Sequence, residues 1–563
     1  MLSISAAIDG LWAPLRRHEA RRAARIRERM GSTKFFGSQV GGPSVISYSY
    51  TDLPSRLLMW DIYYFFQFAW ALPWIVMPIT PSDSKELDEL SMTWPNAFCV
   101  AMHALLFFLQ VAFILAIPFI AFFPIYMAAI GIGAFMTLNW ALCLLLNGPS
   151  VEYHSDEKYA KALPEHAHEQ WIFINGVAVG DHWMKSNLNR LALTFKRPIL
   201  GIHNQTSGII FDVVECLIQR NFGYATYDVR VAYGIIKKLL YDPKLSKIVF
   251  ILHSQGGIEG GLVLDWLLQE LPQDLLQKLE VYTFGNAANH FNNPHRHVLS
   301  QALVEKDPVA AVSSITTELT ETTPIDSPVS PLTHALSFTE RLQPASIDAS
   351  SNGKTNGNGL SRTPTLRKDA SSFSSTRTST AAKDRALGHV EHYAHTTDFV
   401  ALWGVLHFCT SIAAKHTMPR FIGRLFVRAS ERGGHQFCQH YLDGMFPLAR
   451  DPVTGELTGC AEESDFMESE IQVGEEGSAA QTAREAFEVS WLGAGGFGSG
   501  EIPSGVEVHG DPQKLARKQR RIDSGLVKVK DLSRLWMYRN GMSPPDTPPS
   551  LRSENGVVRN ATM

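Results

Sequence analysis

Lys247–Gly261 reads KIVFILHSQGGIEGG: an apolar strand pattern, then Ser254 between His253 and Gln255, then a pair of glycines and an apolar helical run. That order suits nucleophilic catalysis. A hydroxyl at a sharp strand-to-helix turn stands clear of the backbone. Small residues beside it, here Gly256 and Gly257, keep strand and helix from clashing. The helix N-terminus directs its amides at negative charge developing nearby. A serine is a weak nucleophile by itself, so the chain must also supply a base and a group that orients that base.

The HSQGG segment after a strand resembles the serine turn of α/β-hydrolases, although Leu252 stands where the usual G-x-S-x-G pattern has its first glycine. Val281–Pro294 (VYTFGNAANHFNNP) is similar to the strand and turn that follow the nucleophile helix in class 3 lipases. The chain also looks like fungal membrane-anchored lipases and serine esterases, over about Trp171–Phe446. The resemblance implies a triad in the order serine, acid, histidine. Asp398, closing the run GHVEHYAHTTDFV, fits the acid, with Asp307 in EKDPVA as the rival. His435 in RGGHQFCQHYL fits the base, with His440 as the alternative. The same likeness implies an oxyanion hole from the backbone amides of Gln255 and Val177.

The elements that must position these residues alternate. Trp171–Ile174, Pro198–His203, Lys247–Leu252 and Leu279–Phe284 read as strands. Asn187–Phe195, Ile209–Gln219, Tyr233–Leu240 and Gly260–Leu271 read as helices. Strand and helix in series predict an α/β class with a mostly parallel sheet covered on both faces. Further on, His389–Val400 reads as a strand, Val405–Ala414 as a helix, Arg424–Val427 as the last strand and Gln436–Phe446 as a closing helix. The expected hydrolase domain is therefore 165–312 plus 386–448. It is interrupted at 313–385 by a Ser/Thr-rich stretch too poor in large apolar residues to fold alone.

Membrane segments precede this domain, in region 56–148. Residues 97–119 and 120–146 contain no Asp, Glu, Lys or Arg and each matches the roughly 20 apolar residues that cross a bilayer. Leu57–Ile79 is aromatic but carries Asp61, Gln67 and Pro73, so it reads as a third span or an interfacial helix. Residues 1–55 form an arginine-dense leader, expected to be largely disordered, and 449–563 are expected to be a disordered tail. The positive-inside tendency keeps the leader cytosolic, and two spans return the hydrolase domain to the cytosolic side of an internal membrane such as the endoplasmic reticulum. The sequon Asn204-Gln205-Thr206 would report the opposite side if glycosylated.

Composition narrows the function. A formal net charge of -4 gives no reason to expect nucleic acid. The six cysteines form no CxxC pair, so neither a disulfide framework nor a zinc site is expected. No cofactor and no metal are implied. The expected activity is hydrolysis of a lipid ester at the bilayer. The alternatives are an acyltransferase or thioesterase with the same triad, or an inactive hydrolase-fold scaffold.

Overall fold

The computed structural model describes residues 33–36, 53–79, 83–120, 122–296, 385–410, 421–429, 433–473 and 528–544. Most of the leader, the insertion up to residue 384, the rival acid Asp307 and the tail stretches 474–527 and 545–563 lie outside the described residues.

Seven strands make the body of one sheet: β2 (Glu152–His154), β3 (Glu169–Ile174), β4 (Ile199–Ile202), β5 (Lys247–His253), β6 (Leu279–Phe284), β7 (His389–His395) and β8 (Arg424–Arg428). β1 (Thr33–Phe36) and β11 (Ile471–Val473) extend it past β8, giving the order β11-β1-β8-β7-β6-β5-β3-β4-β2. β9 (Leu448–Arg450) and β10 (Leu457–Cys460) pair separately. The run β4-β3-β5-β6-β7-β8 is parallel, while β2 and β1 join its two sides antiparallel. Parallel strands buried on both faces need apolar residues at every position, and KIVFIL supplies them. Val249 and Ile251 pack into one layer with Phe173, Tyr282 and Phe284. Ile248, Phe250 and Leu252 pack into the other with Ile172 and Val281. The carboxyl ends of neighbouring parallel strands share one side of the sheet, where α/β folds place their chemistry.

Seven longer helices accompany the sheet: α1 (Pro54–Phe68), α2 (Trp94–Ile120), α3 (Ile125–Asn147), α4 (Asp181–Phe195), α5 (Ile209–Phe222), α6 (Tyr227–Tyr241) and α7 (Gly256–Glu270). Of these, α2 and α3, with 27 and 23 residues, are long and apolar enough to cross a membrane.

Leu57–Ile79 does not form one long helix. α1 stops at Phe68 and gives way to a 3-10 turn over Ala69–Ile75 that contains Pro73. Asp61, the charge that made this segment ambiguous, is buried and points into the protein. Arg220 of α5 forks onto its carboxylate, with Nε 2.8 Å from Oδ2. Asn221 donates to the same oxygen at 2.6 Å, and the Trp403 ring lies 3.8 Å from the guanidinium. Removing one partner of a buried ion pair strands the other, at a cost of about 3–5 kcal/mol. Arg220→Ala is therefore expected to lower unfolding stability by that amount in a denaturant titration. Asp61→Asn, which keeps some of the hydrogen bonds, should lose less.

Two more expectations change. The strand at His389–Val400 ends at His395, because the Asp398 carboxylate accepts from Val400 N at 2.8 Å and caps a new helix, Phe399–Trp403. The tail is not disordered throughout. Residues 449–473 contribute β10 and β11, and 528–544 fold back onto the sheet. There Tyr538 donates to Glu280 at 2.8 Å, Arg534 pairs with the same carboxylate at 2.8 Å, and Trp536 is buried. At these residues the tail's charge is paired with a buried carboxylate of the sheet, Arg534 with Glu280.

Candidate active site

Ser254 follows β5 directly and its amide donates to Phe284 O of β6 at 3.0 Å. Its φ is +57°, in the left-handed region that disfavours side chains. Such strain concentrates at functional sites, where surrounding packing holds it in place. The tightness is measurable: a Cβ added to Gly176 would lie 2.4 Å from Ser254 Cβ, and one on Gly256 would lie 2.7 Å from Ile174 O. Leu252, the residue at the usual glycine position, is accommodated from the other side. Its branched end lies against Gly260 of α7, where an added Cβ would come within 2.3 Å of Leu252 Cδ1.

His435 reaches Ser254 from the loop beyond β8, with Nε2 2.8 Å from Oγ. Its Nδ1 lies 2.9 Å from Asp398 Oδ2, just past the end of β7. Nδ1–H therefore donates to the carboxylate, and Nε2 is left to accept the serine proton. Strands β5, β6, β7 and β8 are neighbours, so the three residues converge though 181 positions separate Ser254 from His435. All three are buried, Ser254 to within 2 % of full enclosure.

His440 is not directed at Ser254. Its Nδ1 accepts from Gln436 N at 3.0 Å, so Nε2–H donates to Pro78 O at 3.0 Å. The expected closing helix is instead a π-helical turn, Phe437–Leu442, followed by a single turn at Asp443–Met445. This turn aims Tyr441, a residue the sequence reading did not single out, at the acid: its O–H donates to Asp398 Oδ2 at 2.6 Å. Burial first, then the neighbouring carboxylate, pushes the Tyr441 phenol far up, so it stays a neutral donor. His253 stacks on His435 with ring centres 4.8 Å apart and bonds its backbone O through Nε2 at 3.0 Å. Burial keeps His253 neutral, its tendency to protonate falling well below normal.

The oxyanion donors depend on local bookkeeping of N–H groups. In the loop after β3, Ala178 N–H is taken by Asp212 at 2.9 Å. At the start of α7, Gly257 N–H is taken by Ser254 O at 3.0 Å and Ile258 N–H by Gln255 O at 2.7 Å. The N–H groups of Val177 and Gln255 have no acceptor among the described residues. Both expected donors are thus left over by the fold beside the serine. Asp212, also missed by sequence reading, fixes the Val177 loop by accepting from Thr206 Oγ1 at 2.6 Å and Ser207 N at 2.7 Å as well. Asn204 Nδ2 is buried and donates to Gln255 Oε1 at 2.8 Å, so the sequon is enclosed in the folded chain.

One carboxylate group emerges that spacing did not suggest. Oxygens of Glu215, Asp228 and Glu259 lie within 4.8 Å of one another. Gln255 and Gln219 both donate to Glu215, at 3.2 and 3.1 Å. Burial first, then the neighbouring carboxylates, raises Glu215 to about 7 and Glu259 well above normal. Among the described residues, these three form the one group with the donor set to hold a cation.

Glu89 supports the π-helical turn by accepting from Cys438 N at 3.1 Å. Burial first, then Asp88, pushes its carboxyl up to about 8. The folded chain therefore holds this proton over a pH range where the unfolded chain has lost it. Stability from this group is complete below the unfolded value near 4.5 and is lost as pH rises toward 8. Thermal unfolding of Glu89→Gln across pH 5–8 should show a flatter profile than the wild type.

No family model, no curated protein and no solved structure matches the chain.

Proposed function

We propose that this chain is a membrane-associated serine hydrolase of the α/β-hydrolase type, cleaving an ester lipid through an acyl-enzyme. The observation that carries the reading is the relay of Ser254 Oγ, His435 and Asp398 at 2.8 and 2.9 Å. In this reaction Ser254 attacks the ester carbonyl while His435 Nε2 takes its proton. Asp398 holds the ring in the tautomer that can accept and stabilises its charged form. The amides of Val177 and Gln255 receive the negative charge of the tetrahedral intermediate. His435 then returns the proton to the departing alcohol, leaving the acyl group on Ser254. Water, activated by the same imidazole, releases the acid.

The lipid substrate is supported by the company the site keeps. The 3-10 strap after α1 runs beside the catalytic loop, and Ile75 O accepts from His435 N at 3.3 Å. Two apolar helices, α2 and α3, precede the catalytic domain in the same chain. A bilayer concentrates ester lipids next to such a site. The described cysteines are buried and unpaired, which suits a reducing, cytosolic face of an internal membrane.

The direct test is acyl release by the purified chain in phospholipid nanodiscs carrying a diacylglycerol, a monoacylglycerol, a phospholipid or a sterol ester. Release from at least one ester by wild type, absent in Ser254→Ala, is the expected result. Turnover of none of them, together with failure to react with a fluorophosphonate, would overturn the reading.

A further inference from the structure

α5 is built inside out. Four of its five buried residues are polar or charged, Asp212, Gln219, Arg220 and Asn221, the fifth being Cys216. Its outward residues Val214, Ile218 and Phe222, one turn apart, are exposed, Phe222 by 54%. α1 repeats the pattern. Its one buried residue is Asp61, while Met59, Trp60, Ile62, Tyr63 and Phe66 face outward. A water-facing helix carries its polar side outward. A contiguous apolar surface on a folded domain marks contact with another phase or partner. α5 packs between α1 and α2, so the inverted faces adjoin the root of the α2–α3 hairpin.

That hairpin is bound to the domain far along its length. Asn96 near the start of α2 accepts from Trp183 Nε1 at 2.9 Å. Just past the middle of α2, Gln110 donates to Ser207 O at 2.7 Å and accepts from Ile210 N at 3.1 Å. Asn139 of α3 donates to the same Ser207 O at 3.0 Å. Phe113 and Phe135 stack on each other at 4.0 Å and both meet the edge of Phe211 in α5. Beyond these rings no described residue of 114–134 is buried, and the tip is strongly exposed: Phe122 by 83%, Ile125 by 88%. The protruding stretch of α3, 125–134, rises about 15 Å at 1.5 Å per residue. That is about half of the ~30 Å hydrocarbon thickness of a bilayer.

We infer that the α2–α3 hairpin enters one phospholipid leaflet and turns back within it, while the apolar faces of α1 and α5 lie in the headgroup boundary of that same leaflet. For the tip to reach the far side, the domain surface at Ser207 would have to sink about another 15 Å into hydrocarbon, carrying its hydrogen-bonded loops with it. A depth of about 5–10 Å for an apolar helix face is the ordinary interfacial arrangement. The occupant of this surface is thus a single leaflet. A phospholipid monolayer over neutral oil offers that as well as a bilayer does, and only a hairpin that does not cross can use both.

The test needs no catalysis, so it stands whether or not Ser254 is a nucleophile. The full chain, carrying Phe122→Cys in a Cys409→Ser background, is reconstituted with dioleoylphosphatidylcholine vesicles and, separately, with triolein droplets coated by the same lipid. Residue 122 is expected to resist a membrane-impermeant maleimide applied outside or trapped inside the vesicles, and to react only in detergent. The chain is expected to bind the droplets, and Ile218→Glu with Phe222→Glu to weaken that binding at least tenfold. These two substitutions are on the surface, and unchanged thermal unfolding in detergent shows that the fold is kept. Labelling of residue 122 by trapped reagent together with exclusion from droplets means that the hairpin crosses, and overturns the inference. Labelling from outside means that it is not inserted, and overturns it equally. Undiminished droplet binding by the double variant removes α5 from the leaflet.

Discussion

Ser254→Ala is expected to abolish labelling by a fluorophosphonate and to reduce ester hydrolysis by about 10⁴-fold or more, since the residues of a triad act as a unit. The reason is geometric. Ser254 Oγ is the atom that faces His435 Nε2, 2.8 Å away. Loss of labelling in a folded variant distinguishes the assignment from a general defect, so a second substitution is informative. At φ +57° the serine is strained, and glycine adopts that conformation freely. Ser254→Gly should be as inactive as Ser254→Ala yet gain about 1 kcal/mol in stability. If the wild type labels and Ser254→Ala labels equally, the reactive serine lies elsewhere and the assignment fails.

The parts of this arrangement that could be read in the sequence are those with a local signature. The switch from KIVFIL to a glycine-rich helix start marks Ser254 because a strand and a helix leave different periodicities on either side of the turn. The order of strands then brings Asp398 and His435 to one edge, which requires only that β5 to β8 be parallel neighbours. What could not be read depends on contacts between distant positions. Tyr441 reaches Asp398 because one extra residue widens the closing turn into a π-helix, and nothing in FCQHYL announces that. Asp212 holds a loop 34 residues earlier in the chain. Leu252 departs from the expected glycine, and its compensation, Gly260, sits little more than one turn into the helix that follows the serine. The inversion of α5 was hidden in plain composition. IIFDVVECLIQRNF reads as an ordinary helix covering a sheet until the structure shows that its polar side is the one facing inward.

The acid offers a sharper test than its simple removal. Asp398→Ala should lower kcat by about 10⁴-fold, the usual loss when the imidazole is no longer oriented. Asp398→Asn need not behave the same way. Two donors, His435 Nδ1–H and the Tyr441 O–H, converge on Oδ2, at 2.9 and 2.6 Å. Oδ1 meets one, Val400 N–H, at 2.8 Å. An amide at this position must point its oxygen one way and its NH₂ the other, and two donors outweigh one. The amide oxygen should therefore face His435, preserving the tautomer in which Nε2 accepts the serine proton. Asp398→Asn is expected to retain measurably more activity than Asp398→Ala, with the remaining deficit reflecting the lost carboxylate charge. Tyr441→Phe alone, which removes one charge-assisted hydrogen bond, should reduce kcat by about tenfold with little change in KM. In the Asp398→Asn background it should do far more. With Tyr441 silenced, each face of the amide meets a single donor, the flipped orientation becomes competitive, and His435 is driven toward the tautomer that cannot accept from Ser254. Equal activity of Asp398→Asn and the double variant would show that Tyr441 only fills space beside the acid.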